Sequence, residues 1–256
     1  MFVSLVDDDS IGEAVIEKLK RHKVDTRYMR RIKDGMGTWL AIFDNTGDVV
    51  ASISKRPDLC PIADILDESG DEIFSQADSI LIEIDMEREV VRRVFNLAEK
   101  YHKKVYAAVS NMSIAAKRRD WLMETDCFVC NLQEAGILFS EEYDGRSIEE
   151  MTAILSEKVI AARIPRMVVT MGGAGSVWAD MEGNSGICPS MKVAVKDTTG
   201  AGDAFFAGTA MGLTYGKSLA DSCAIGTRLA ASVITSMENV CPRFRPEEFG
   251  LTPPEE

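Results

Sequence analysis

The run Asp197-Thr198-Thr199-Gly200-Ala201-Gly202-Asp203 sets carboxylates, hydroxyls and glycines side by side, and the apolar stretch Ala204-Phe205-Phe206-Ala207-Gly208 follows at once. That order predicts a tight turn feeding directly into a buried helix. Gly200 and Gly202 permit backbone conformations and close approaches that a Cβ forbids. Free N–H groups at the start of such a helix attract phosphate or developing negative charge. Asp203 repels an anionic ligand unless it has a task. The task that fits is general base: removing the proton of a hydroxyl as that hydroxyl attacks a phosphoryl group. For a bare Gly-x-Gly-Asp, a plain glycine-rich turn whose aspartate caps the helix is the ordinary explanation. The complete string is far more restrictive.

Two other stretches carry candidate chemistry. Thr170-Met171-Gly172-Gly173-Ala174-Gly175 closes a predicted strand, where open α/β sheets place ligands. It is not a dinucleotide fingerprint, because the glycine spacing differs and a strand follows instead of a helix. On its own it reads as a glycine-rich hairpin turn. Asn131-Leu132-Gln133-Glu134 follows the apolar Phe128–Cys130 and opens a helix. Asn131 can cap that helix with Glu134 reaching back.

These stretches need a frame to hold them. From residue 79 onward strands and helices alternate: 79–84 apolar, 87–101 amphipathic, 105–109 apolar, 113–123 helical, 127–130 extended, 132–139 helical, 147–162 helical, then strands at 167–171 and 176–179. Helix 147–162 turns Ile148, Met151, Ile154, Leu155 and Val159 inward, and 218–236 is a further helix. The alternation predicts a mostly parallel sheet with helices on both faces. Before it come a strand at 2–6 and a helix capped by Asp9 or Ser10, with Ile11, Ala14, Val15 and Leu19 on its apolar face. Three β-like runs follow at 28–32, 38–43 and 49–53, the last two joined by the turn signal Asp44-Asn45-Thr46-Gly47-Asp48. With no helix between them they predict a small sheet set apart from the α/β core.

Composition narrows the partners. The 256 residues are 46% hydrophobic and 27% charged, ordinary values for a globular chain, with a net charge of −12 and a pI near 4.8. That excess of acid argues against a nucleic acid or an anionic membrane surface as partner. An anionic ligand therefore needs local help from a helix end or a metal ion. No signal peptide and no apolar run of membrane-spanning length are visible. Six cysteines are scattered; Cys127 and Cys130 flank Phe128-Val129 in a strand that points them to opposite faces, with no second pair to complete a zinc site. Buried, reduced thiols and a cytoplasmic location are expected.

The three motifs, in the order N-x-x-E, T-x-G-x-x-G and D-T-T-G-A-G-D, resemble the ribokinase (PfkB) family of carbohydrate and nucleoside kinases, and the resemblance covers nearly the whole chain. It implies a ribokinase-like α/β sandwich: a single domain over 1–256 with a mostly parallel central sheet flanked by helices and a small β lid from 24–54. It further implies ATP-dependent phosphorylation of a sugar or nucleoside hydroxyl, with Asp203 as base and Gly200, Ala201 and Gly202 as anion hole. By the same resemblance Thr170, Gly172 and Gly175 form the nucleotide loop, Asn131 and Glu134 serve Mg²⁺ and the nucleotide, and Asp197 and Thr199 match positions that hold K⁺ in many members. Such a sheet covers the substrate, or it protects a hydrophobic face or pairs two copies into a homodimer.

Within the family, Thr38–Asp44 with Gly47–Ile53, and Val109-Ser110 with Lys117 and Arg118, resemble pseudouridine kinases, whose acceptor is a 5′-hydroxyl. Those enzymes carry Asp-Pro before Val-Ser, whereas this sequence has Ala107-Ala108, which removes a carboxylate from the strand end. The opening Leu5–Gly12 matches a later V-G-x-D-x-x-G region, so the family's Gly-Gly…Asn sugar-binding segment is not expected here. A nucleotide-binding protein of kinase fold without a complete acceptor site is the alternative this raises.

Overall fold

The computed structural model describes residues 1–43, 49–117 and 119–251. The predicted hairpin turn at 44–48, Arg118 and the end of the Pro-rich tail lie outside them. Ten strands and nine helices are found among the described residues, in the order β1 (Ser4–Asp7), α1 (Ser10–Arg21), β2 (Met29–Ile32), β3 (Thr38–Phe43), β4 (Val49–Lys55), α2 (Pro61–Gln76), β5 (Ser79–Glu83), α3 (Arg88–Lys100), β6 (Lys104–Ala108), α4 (Met112–Ala115), α5 (Arg119–Glu124), β7 (Cys127–Asn131), α6 (Leu132–Phe139), α7 (Ile148–Ala162), β8 (Arg166–Thr170), β9 (Ser176–Asp180), β10 (Ser185–Cys188), α8 (Ala201–Thr214) and α9 (Leu219–Ile234). The chain divides into two compact units, Met1–Gln76 with Met86–Tyr101, and Ala77–Asp85 with His102–Glu256.

In the first unit Asp9 caps α1, its Oδ1 accepting from the N–H groups of Ile11 (2.9 Å) and Gly12 (3.0 Å). That start fixes the helix phase. Gly12 and Ile16 are buried and Ile11 is 60% exposed, so the inward stripe runs through 12 and 16 and not through Ile11. β1 and β2 pair in parallel, Ser4 opposite Met29 through Asp7 opposite Ile32. The first of the three β-like runs therefore leaves the predicted small sheet, which is the two-stranded antiparallel pair β3–β4. Helices α2 and α3 lie together, tied by Arg93 on Asp67 (2.8 and 2.9 Å) and Lys100 on Asp71 (2.6 Å).

The second unit is built on a six-stranded sheet in the order β10-β9-β8-β7-β6-β5. β5 to β8 are parallel, and β9 and β10 run antiparallel at one side. The ribokinase-like α/β architecture with its extra small sheet is thus present. Central strands are buried on both faces, as their unbroken apolar runs require: Phe128, Met167, Val168 and Val169 are each 0% exposed. In place of one helix over 113–123 the chain forms the short α4 and α5. Of the five residues expected inward on α7, Met151, Leu155 and Val159 are buried and Ile148 and Ile154 are half-buried, and Ser147 and Glu150 form a capping box. Phe205, Leu213, Leu219 and Cys223 of α8 and α9 pack on Tyr106, Cys127, Val129 and Val168 of the sheet. That packing fixes the start of α8 relative to the strand ends.

Candidate active site

The carboxyl ends of β5 to β8, the turn before α8 and the β8–β9 connection, all within the second unit, hold the candidate residues. Helix α8 starts at Ala201 behind Gly200, which stands in the left-handed region at φ 81° and serves as N-cap without any side-chain cap. A Cβ there would meet both the strain of that conformation and the Asn239 carbonyl oxygen at 2.4 Å. The turn is drawn tight by Asp197, whose Oδ1 accepts from the Thr199 N–H at 2.8 Å. That bond holds the Asp197 carboxyl below its ordinary range. Lys196 N–H donates to Ile234 O (2.8 Å), fastening the turn to the end of α9.

The helix start distinguishes the predicted anion-hole residues. The Ala201 N–H already donates to Thr198 O at 3.1 Å, and the first helical bond runs from Ala204 N–H to Gly200 O at 2.9 Å. Gly202 and Asp203 hold the first-turn N–H groups between these two, the ones suited to an anion. Asp203 is exposed in that turn and caps nothing.

The β8–β9 connection is a glycine-rich turn, closed by Met171 N–H on Gly175 O at 2.8 Å. Gly175, at φ 109°, lies so close to β10 that a Cβ would sit 2.3 Å from Cys188 O. The hairpin reading of T-x-G-G-x-G therefore holds, and the same turn forms a wall. Thr170, Gly172 and Gly175 line a cavity of about 320 Å³ together with Ala201 and Gly202. Of the predicted anion-hole residues, Ala201 and Gly202 thus share one cavity with the predicted nucleotide loop, and Gly200 is not among its walls.

Asn131 and Glu134 form a complete capping box: Asn131 Oδ1 accepts from Glu134 N–H, and Glu134 Oε2 accepts from Asn131 N–H, both at 2.8 Å. The cap commits the backbone N–H and the Oδ1 of Asn131. Burial raises the Glu134 carboxyl, the bond from Asn131 offsets part of that rise, and the negative Asp85 adds to it. Among the described residues no group of three or more His, Cys, Asp or Glu stands ready to hold a metal ion. A cation that keeps its waters and rests on substrate phosphates needs no such cage.

Two acids escaped the sequence reading. Glu83 ends β5 opposite Ala108 of β6. Its Oε2 accepts from the Ser110 hydroxyl at 2.6 Å, while Ser110 N–H donates to the buried Asp85 at 3.2 Å. Desolvation raises the Glu83 carboxyl; the Ser110 hydroxyl opposes this, and the like charges of Asp85 and Asp203 add to the rise. The strand end that lacks a carboxylate on β6 therefore has one next door on β5. The signal was present in Ile80-Leu81-Ile82-Glu83-Ile84-Asp85, an apolar strand that ends in acid.

The pfkB family carbohydrate kinase profile matches residues 1–240. The chain belongs to that family. This pfkB kinase is 32% identical over 240 residues to the guanosine-inosine kinase of Exiguobacterium acetylicum, covering 93% of this chain and 78% of the relative. It is 27% identical to the pseudouridine kinase of Escherichia coli K12, covering 86% and 69%. The structure of Arabidopsis thaliana ribokinase complexed with ribose and ATP superposes with a TM-score of 0.77 at 20% identity, covering 93% of this chain and 76% of that one. The protein is accordingly a carbohydrate or nucleoside kinase of ribokinase-like fold. No helix among the described residues is long and apolar enough to cross a membrane. All six cysteines are free, and burial pushes the Cys127 thiol up to about 12.

Proposed function

We propose that this pfkB kinase transfers the γ-phosphoryl group of ATP to a hydroxyl of a nucleoside, with Asp203 as general base. One observation carries the reading: the exposed Asp203 stands in the first turn of α8, one residue beyond Gly202, which lines the cavity shared with Thr170, Gly172 and Gly175. Phosphates resting on that turn meet the helix N-terminus, and the carboxylate beside them takes the acceptor proton. The Gly202 and Asp203 N–H groups receive the negative charge that grows on the transferring group. A bound Mg²⁺ would supply positive charge that offsets the charge on the phosphates. Glu134 fits its water shell, since only Oε2 is committed to the cap among the described residues. Asp197 and Thr199, with the loop that covers Gly200, are the residues that would hold K⁺.

Greater identity to a guanosine-inosine kinase than to a pseudouridine kinase supports a purine nucleoside as acceptor before pseudouridine. Measurement of ATP consumption with guanosine, inosine, pseudouridine, ribose and fructose tests this. A purine nucleoside is expected to give the highest kcat/KM; preference for a free sugar would overturn the acceptor assignment.

The β3–β4 sheet is the lid of this reading and the contact between two copies. Leu40 and its cross-strand partner Ile53 are 57% and 68% exposed, and Ile42 on the same face is 54% exposed. A two-stranded sheet is marginal alone, and an apolar face this open calls for a cover.

A further inference from the structure

The cavity that takes the donor nucleotide in the function proposed above is lined by more than the two glycine-bearing turns. Its further walls are Val193 and Val195 of the segment after β10, Phe205 of α8, and Ala230, Ala231 and Ile234 of α9. None of the cavity-lining residues, all described, is Asp, Glu, Asn, Gln, His, Lys or Arg. Among the lining hydroxyls, those of Thr170, Ser190 and Thr227 are already engaged, and that of Thr198 stands in the turn before α8. The Thr227 hydroxyl lies 3.4 Å from Cys188 Sγ, and the Ser190 hydroxyl donates to Gly173 O at 2.6 Å.

The backbone of α9 is equally closed. Its interior groups are bonded within the helix, and its last carbonyls are taken: Ala231 O by the Thr235 hydroxyl (3.1 Å), Val233 O by Ser236 N–H (2.9 Å) and Ile234 O by Lys196 N–H (2.8 Å). What is left is the backbone of 191–195 at the rim, where Met191 is 49% and Val195 58% exposed, and where water competes for every hydrogen bond. A base in this slot loses its faces to apolar contact and keeps its edge wet.

We infer that this kinase takes purine nucleoside triphosphates as a class, without distinguishing adenine from guanine or hypoxanthine. Adenine and guanine differ at the edge, in which positions donate and which accept. Strong discrimination requires buried groups that are left unpaired by the wrong edge. An apolar slot supplies none. The ring faces, which the slot does bury, are common to all purines.

The test is displacement of a fluorescent ADP analogue from the full chain by ADP, GDP and IDP, at fixed Mg²⁺ and ionic strength. Dissociation constants within about tenfold of one another are expected. A preference for ADP beyond that overturns the inference while leaving the kinase reading intact. Failure of every nucleotide to bind overturns both. Thr227→Val provides the second arm: an unchanged GDP-to-ADP ratio is expected, and a shift beyond about threefold would show the hydroxyl reading the base edge.

Discussion

A methyl group on Gly200 would stand 2.4 Å from the carbonyl oxygen of Asn239. The turn that presents Asp203 is therefore seated under the segment following α9, and the backbone of one fixes the other. Gly202, two residues on, has open space where its Cβ would be, because it faces the cavity. The two glycines should separate experimentally. Gly200→Ala is expected to lower the melting temperature and to cost about 2 kcal/mol or more, through left-handed strain plus the clash. Gly202→Ala is expected to melt like wild type and still lose about tenfold or more in kcat/KM, because the methyl enters the donor cavity. Thermal melts and initial rates on both variants check this.

Glu134 serves as cap in the structure and as Mg²⁺ residue in the proposal, and the two roles call for different replacements. Glutamine retains the capping box, whereas alanine removes it at about 1 kcal/mol. Glu134→Gln is expected to keep stability and to require several-fold more Mg²⁺ for half-maximal rate. Equal Mg²⁺ curves for wild type and Glu134→Gln would confine Glu134 to capping.

Glu83 gives a pH signature. Its carboxyl is raised in the folded protein, mainly by desolvation, with Asp85 and Asp203 adding to it. The folded state then binds that proton more tightly than the unfolded chain does. Its stabilising contribution is complete below the unfolded value and is lost as pH rises through the folded one. Glu83→Gln is therefore expected to melt higher than wild type at neutral pH, with the difference shrinking in mild acid. Melting curves across that window read the sign directly; a variant that gains in acid and not at neutrality would contradict it.

Leu40 and Ile53 face each other across β3–β4 with more than half of each exposed. If a second copy covers that face, Leu40→Asp with Ile53→Asp is expected to halve the mass measured by light scattering while leaving the monomer folded. A monomeric wild type would refute the pairing.

Much of the second unit is legible in the sequence because its signals are local. Strand–helix alternation from residue 79, the Ser147 cap and the glycines before α8 each act within a few residues. The start of the chain is less so. Met29–Ile32 looks like the other β runs, and nothing in its own residues says that it pairs in parallel with β1. Helix α2 went unassigned, with Gly70 in its middle where Leu97 of α3 presses close. Glu83 and Asp203 are far apart in sequence and near in space, so their mutual charge belongs to the fold alone. The place of Asp203 at the start of α8 is legible because the residues that define its turn are its neighbours.

The central claim is that Asp203 removes the acceptor proton. Asp203→Asn preserves shape and removes the base, so kcat and ADP affinity, measured on one preparation, test it together. The expected result is a fall in kcat of about 10²-fold or more with ADP affinity within a few-fold of wild type. Wild-type kcat in Asp203→Asn would contradict the account.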